Sequence, residues 1–103
     1  MRDIRILPEV LRDIADAAKW WYDEDGNLGL GDRFIATFYR FLRDIQQDGE
    51  IHRKIYHDFR KVIIRPFPYS VFYRLHENTW IVTLVIHSAR RPSRTRKNLR
   101  NRK

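Results

Sequence analysis

The 103-residue chain has no cysteine. Disulfides and cysteine-based zinc sites are therefore excluded, and a reducing compartment is permitted. Its longest apolar runs fall far short of the ~20 residues that a membrane span needs. Met1 is followed by a mixed, charged, strand-like segment. No signal peptide is expected there, no membrane partner is expected, and the expected location is cytoplasmic. Internal repeats are absent. His52, His57 and His76 fall in expected loops or turns without metal-ligand spacing, so neither a metal nor another cofactor is expected. Acidic residues are scarce in one region: residues 60–103 hold a single one, Glu77, against twelve Lys/Arg.

The residues that are present describe one small globular domain. Hydrophobic residues make up 43% and charged residues 33%, a mixture that folds rather than staying disordered. The net charge of +8 is unevenly divided. Residues 1–59 carry nine Lys/Arg and twelve Asp/Glu, a balance of −3, so residues 60–103 carry +11. The second part attracts an anionic partner, either nucleic acid or an acidic protein.

Hydrophobic periodicity divides the chain into elements. Asp3 to Leu7 alternates and predicts a short strand. Pro8 and Glu9 suit a first helical turn, and Val10, Leu11, Ile14, Ala18 and Trp21 follow at helical spacing. Asp25-Gly26-Asn27 signals a turn. A second helix is expected from Gly31 or Asp32 to Gln47, with Phe34, Phe38, Phe41 and Ile45 on one face. Strands are expected over Phe59 to Arg65, Tyr69 to Leu75 and Thr79 to His87, with a turn at His76-Glu77-Asn78. The order β-α-α-β-β-β predicts an α+β domain, with a two-helix hairpin packed on a mostly antiparallel sheet. Residues 1–92 form the expected domain. Residues 93–103 form a basic C-terminal tail, either mobile or a short helix ordered only by a partner.

One constellation stands out. Arg65-Pro66-Phe67-Pro68-Tyr69-Ser70-Val71-Phe72-Tyr73-Arg74 precedes a strand that ends His87-Ser88-Ala89-Arg90-Arg91-Pro92. The first stretch resembles the R-x-F-P-Y-x-[VI]-x-Y segment of ParE-like plasmid-stabilisation toxins. The second resembles their H-x-x-R-x-P strand ending. The chain thus resembles the RelE/ParE superfamily, the toxic half of type II toxin–antitoxin pairs, over residues 3 to about 92. The resemblance implies a toxin neutralised by a cognate antitoxin, with which it forms a hetero-oligomer. RelE-like members cleave mRNA on the ribosome; ParE-like members poison DNA gyrase.

RNA cleavage needs a proton acceptor, a proton donor and cations facing the developing charge. Arginine suits the last role because its planar fork binds phosphate bidentately. On the resemblance, Arg65 and Arg90 fall at basic positions of the RelE-like ribonucleases. Ser70 falls where those enzymes carry a second functional arginine, and Arg96 where they carry a C-terminal aromatic residue. The resemblance therefore favours the ParE branch.

Each candidate residue has a structural reading beside its functional one. Arg90 and Arg91 read as an anion or target contact, or as the solvated start of the tail. His87 could act as a general base, or hydrogen-bond structurally near the sheet edge. Alternation allows Arg60 and Arg74 to share a face, with Arg65 nearby, forming a basic surface for target, nucleic acid or an acidic antitoxin. Pairing with Asp13 or Asp16 of the first helix is the alternative. Tyr69 and Tyr73 could stack on bases, or pack in the core against the helices with their hydroxyls at the rim. Trp20 and Trp21 are adjacent and cannot share one helix face, so one is expected in the core and the other as a candidate partner anchor. Candidate catalytic residues are thus Arg65, Arg90 and His87, and candidate binding residues are Arg60, Arg65, Arg74, Arg90 and Arg91. The leading expectation is a gyrase-binding toxin without chemistry of its own. The alternatives are a ribosome-dependent endoribonuclease and a non-toxic nucleic-acid-binding module.

Overall fold

The computed structural model describes residues 1–25 and 29–102. Its elements in chain order are β1 (Asp3–Ile6), α1 (Pro8–Asp25), α2 (Leu30–Asp48), a 3₁₀ turn (Gly49–Ile51), β2 (Lys54–Tyr56), β3 (Phe59–Ile63), β4 (Tyr69–His76), β5 (Thr79–His87) and α3 (Pro92–Asn101). The turn expected at Asp25-Gly26-Asn27 lies, from Gly26 onward, outside the described residues. The five strands form one sheet in the order β1-β5-β4-β3-β2. β1 runs parallel to β5 and every other pair is antiparallel. The fold is the expected α+β arrangement, with β2 and α3 in addition. β2 has three residues, too few for alternation to reveal it. No described helix is long and apolar enough to cross a membrane.

The α1–α2 hairpin covers one sheet face. Phe34, Phe38, Leu42 and Ile45 of α2 are buried, with Val10, Ile14, Ala17 and Ala18 of α1. They pack on Val62, Val71, Tyr73, Trp80, Val82 and Val85 of the sheet. Phe41 sits at the rim, half-buried, and Leu11 faces outward at 53% exposure rather than into the core. Gly49 ends α2 against the Trp80 indole, where a Cβ would lie 2.6 Å from the ring. Its carbonyl accepts a 2.7 Å hydrogen bond from the buried Tyr73 hydroxyl. Burial holds that phenol well above its ordinary pKa.

A bulge in β5 decides which residues face which layer. Phe72 pairs with Leu84, but Tyr73 pairs with Val82, so Thr83 is the extra residue. The extra residue resets the alternation. Trp80, Val82 and Val85 all reach the hairpin core, while Leu84 turns to the opposite face. There, Phe59, Phe72, Leu84 and Leu99 form a second, smaller core, with Tyr56 and Ile86 at its margin.

Leu99 belongs to α3. Where a mobile tail or a helix ordered only by a partner was expected, Pro92–Asn101 is a helix docked on the sheet. Pro92 suits its first turn. Thr95 and Leu99, one turn apart, face inward and are buried. Composition alone pointed to a tail because the segment has a single large apolar side chain. That one leucine is fully buried, which stabilises docking by roughly 1.5–3 kcal/mol.

Candidate functional site

The candidate residues are dispersed by the fold. Arg60 of β3 pairs across the sheet with Tyr73, so its side chain lies on the hairpin face, and Arg74, next along β4, points to the other. The shared face that alternation allowed for Arg60 and Arg74 is therefore not formed, because the register sets them on opposite sides. Arg60 also has structural work: its guanidinium donates to the carbonyls of Glu50 (3.2 Å) and His52 (2.6 Å). Together with Arg2 it flanks the Trp80 ring, the two carbons lying 6.0 and 5.6 Å from the ring centroid. Arg65 is exposed beside the cis Arg65–Pro66 bond between β3 and β4. Arg90 and Arg91 are exposed in the turn between β5 and α3. The Arg91 carbonyl accepts the first α3 amides, from Arg94 at 3.0 Å and Thr95 at 3.2 Å.

The alternative expected for the strand arginines, pairing with Asp13 or Asp16, is met in part by a different residue. Asp13 is held bidentately by Arg102, at 2.5 Å (Oδ2) and 3.0 Å (Oδ1). The same carboxylate accepts the Val85 amide at 3.0 Å, and Arg102 also donates to the Thr83 carbonyl at 3.2 Å. These two backbone groups lie at and just after the β5 bulge, beyond the point where β1 stops pairing. Asp13 and Arg102 thus satisfy an interrupted strand edge while tying α1 to the end of α3. The hydrogen bond to Asp13 is the main cause of the raised Arg102 pKa.

Two concavities flank α3. The first, about 250 Å³, opens between α3 and the sheet. Its floor includes Phe72, Ile86 and Leu99, and its cations are Lys61, Arg90 and Arg96. No carboxylate lines it among the described residues. Ser70, at the position right after Tyr69, is buried and shares a 3.1 Å hydrogen bond with the Ser88 hydroxyl. The second, about 430 Å³, runs between α1 and α3 along β5, past Asp16, Trp20, His87, Arg90 and Arg94.

His87 stands between the two. Its Nδ1 accepts the Ala89 amide at 3.0 Å, and its ring meets the edge of Tyr69 at 5.2 Å between centroids. A neutral imidazole has one bare nitrogen, and here that lone pair is already used. Nε2 therefore carries the proton and presents a donor, which suits binding an acceptor and not removing a proton. Tyr69 also packs edge-on against Phe34 at 5.0 Å. Burial raises its pKa, and the nearby Arg90 partly offsets that rise.

Trp21 packs into the core against Phe67 at 5.2 Å, whereas Trp20 remains 50% exposed. Lys61, Arg94 and Arg96 were not singled out as binding residues in the sequence. For Lys61 a signal existed, because it alternates with the buried Val62 on β3. The placement of Arg94 and Arg96 follows from α3 docking, which composition concealed. Among the described residues, no cluster of His, Cys, Asp or Glu could hold a metal ion.

A family model described as "ParE toxin of type II toxin-antitoxin system, parDE" matches residues 4–92. No curated protein matches the chain. Among solved structures, one described as "Chromosomal ParDE TA system from P. aeruginosa" superposes with a TM-score of 0.75 at 10% identity. The match covers 84% of this chain and 96% of the other, and at that identity it speaks for the fold.

Proposed function

The chain belongs to the ParE toxin family of type II toxin–antitoxin systems, and from this premise we propose that it arrests growth by binding DNA gyrase, with no chemistry of its own, until a cognate antitoxin neutralises it. On this reading residues 1–92 are the toxin domain, and residues 93–103 add the basic segment that completes its cationic face. Toxin and antitoxin form a hetero-oligomer, and the site of action is cytoplasmic.

The observation that carries the reading is the state of the cleft between α3 and the sheet. The chain offers cations there, but the groups that proton transfer requires are committed elsewhere. His87 has its free lone pair in a hydrogen bond to Ala89, Ser70 is tied to Ser88, and no carboxylate lines the cleft among the described residues. A cationic, acid-free cleft without an available base supports recognition over cleavage. Arg65, Arg74, Arg90 and Arg91 are the proposed contact residues, joined by Lys61 and Arg96. Arg60 is assigned to holding the turn after α2.

The test sets purified protein against purified gyrase in a supercoiling assay, and against ribosomes translating a defined mRNA. Inhibited supercoiling with intact mRNA is the expected result. In-frame mRNA cuts that disappear in Arg90→Ala establish the ribonuclease alternative in its place.

A further inference from the structure

β1 is the outer strand of the sheet, and its far edge has no strand beside it. On the near edge it pairs in parallel with β5, Ile4 standing against Trp80 and Arg5 against Ile81. The Leu7 amide donates to the Val82 carbonyl at 3.1 Å, so Leu7 turns its backbone groups toward β5. Successive residues of an extended strand turn theirs to opposite sides. Asp3 and Arg5 therefore also face β5, while Ile4 and Ile6 direct their amides and carbonyls outward. None of those outward groups has a hydrogen-bond partner among the described residues. Pro8 lies beyond the strand, and neither proline nor bulge interrupts Asp3–Ile6.

The side chains alternate too. Ile4 and Ile6 lie on the hairpin face, partly buried against the main core. Asp3 and Arg5 lie on the opposite face, exposed, and neither forms an ion pair among the described residues. Such an edge is a row of donors and acceptors that another strand completes. The backbone decides how a second copy fits. An antiparallel partner related by a two-fold axis must centre on a residue whose groups face outward, which excludes Asp3 and Arg5. A centre at Arg2 or Ile6 leaves half of the strand unpaired. Centred on Ile4, the two Ile4 residues exchange both hydrogen bonds, and Asp3 of each copy stands directly opposite Arg5 of the other. Those flanking positions are the non-hydrogen-bonded kind, where side chains approach most closely. The register that the backbone demands is also the one that pairs opposite charges twice.

We infer that β1 is a self-pairing edge, at which two copies of this chain join their sheets antiparallel about a two-fold axis at Ile4, held by the Ile4 backbone pair and by two Asp3–Arg5 ion pairs across the join. The charge asymmetry of the chain suits this edge. The cationic surplus belongs to residues 60–103, whereas β1 lies in the part whose balance is −3. A strand of four residues buries little surface, so the dimer is weak and fills only in concentrated protein. Neither target nor antitoxin takes part in this contact.

The test follows the full chain by sedimentation equilibrium from ~10 µM to ~1 mM, the range of a weak contact. Salt is held near ~0.15 M, where repulsion between chains of net charge +8 is screened beyond about 8 Å. Hydrogen exchange and NMR shifts of the Ile4 and Ile6 amides are recorded over the same series. A monomer–dimer equilibrium is expected, with the Ile4 amide protected as the dimer fills. Arg5→Asp sets like charges opposite each other and should weaken the dimer about ten-fold, and Asp3→Arg should do the same. Combining Asp3→Arg with Arg5→Asp exchanges the charges and should restore the parent affinity to within about three-fold. Urea midpoints measured alongside separate lost pairing from lost folding, and the Ile4 amide of the unaltered chain needs no variant. A chain that stays monomeric throughout, a dimer whose Ile4 amide exchanges as fast as in the monomer, or a double variant as weak as the single ones overturns the inference. So does Ile4 protection that appears only when an antitoxin is added, which assigns the edge to that partner instead.

Discussion

The two faces of the sheet are covered by different means. On the hairpin face, α1 and α2 bury many apolar side chains, and charged groups serve mainly at the margins. On the other face a single helix docks through Thr95 and Leu99, and after Pro92 its remaining side chains are polar or cationic. The first layer is held by area. The second is held by one leucine and by the grip of Arg102 on Asp13, and α3 contains no acidic residue to balance its own charge. A helix with so little apolar contact and so much charge of one sign is shaped for what it meets, and its own cohesion is correspondingly small.

That contrast is open to direct tests. The largest effect is expected from Phe38→Ala in the hairpin core, which should cost about 3–5 kcal/mol and shift the urea midpoint of the whole domain. Leu99→Ala should cost roughly 2–3 kcal/mol but act locally. Amide exchange should accelerate across residues 92–101 while the Tyr73 and Trp80 amides stay protected. Equal acceleration in both places would erase the distinction between the layers. Asp13→Ala should cost about 1–3 kcal/mol, because the pair is mostly buried and its loss frees the Val85 amide as well. Its signature is faster exchange at Val85 together with α3.

Smaller effects sharpen the comparison further. Binding to a 30-base-pair duplex or to heparin should weaken steeply with salt, and Arg94→Gln and Lys97→Gln should each reduce the logarithmic salt slope by about one. Arg40→Gln, on the hairpin, should leave the slope unchanged. The smallest effect concerns His52, beside the turn after α2. Burial is the main cause of its lowered pKa, so the folded state favours the neutral ring. The unfolded chain takes up the proton first as pH falls below about 6.5, so stability should decline over the window beneath that pH. His52→Gln should flatten that part of a stability profile between pH 7 and pH 5.

Much of this organisation was legible in the residues. The hairpin layer announced itself because Phe34, Phe38 and Ile45 repeat at helical spacing, and β4 and β5 because their β-branched and aromatic runs end at clear turns. The turn at Glu77-Asn78 fits that reading, both residues adopting positive φ. What stayed hidden depends on contacts far apart in sequence. Nothing local reveals that Leu99 has a pocket waiting between Phe59, Phe72 and Leu84, so the C-terminal segment read as a tail. The bulge at Thr83 is silent as well, although it reverses which β5 residues face each layer. The division of labour among the arginines was hidden for the same reason. Arg60 and Arg74 look alike in the sequence, and only the register shows that one stacks beside Trp80 while the other faces the opposite side.

The bond between Asp13 and Arg102 joins positions 89 residues apart. It closes almost the entire chain into a ring, with one half of the clasp on the first helix and the other among the final residues. During synthesis the hairpin and strand segments are made before Arg102, so the clasp cannot close until the C-terminal helix has been added. Arg102→Ala would keep the hairpin layer and lose the fastener, and it would differ from the parent chain chiefly in how long α3 stays seated.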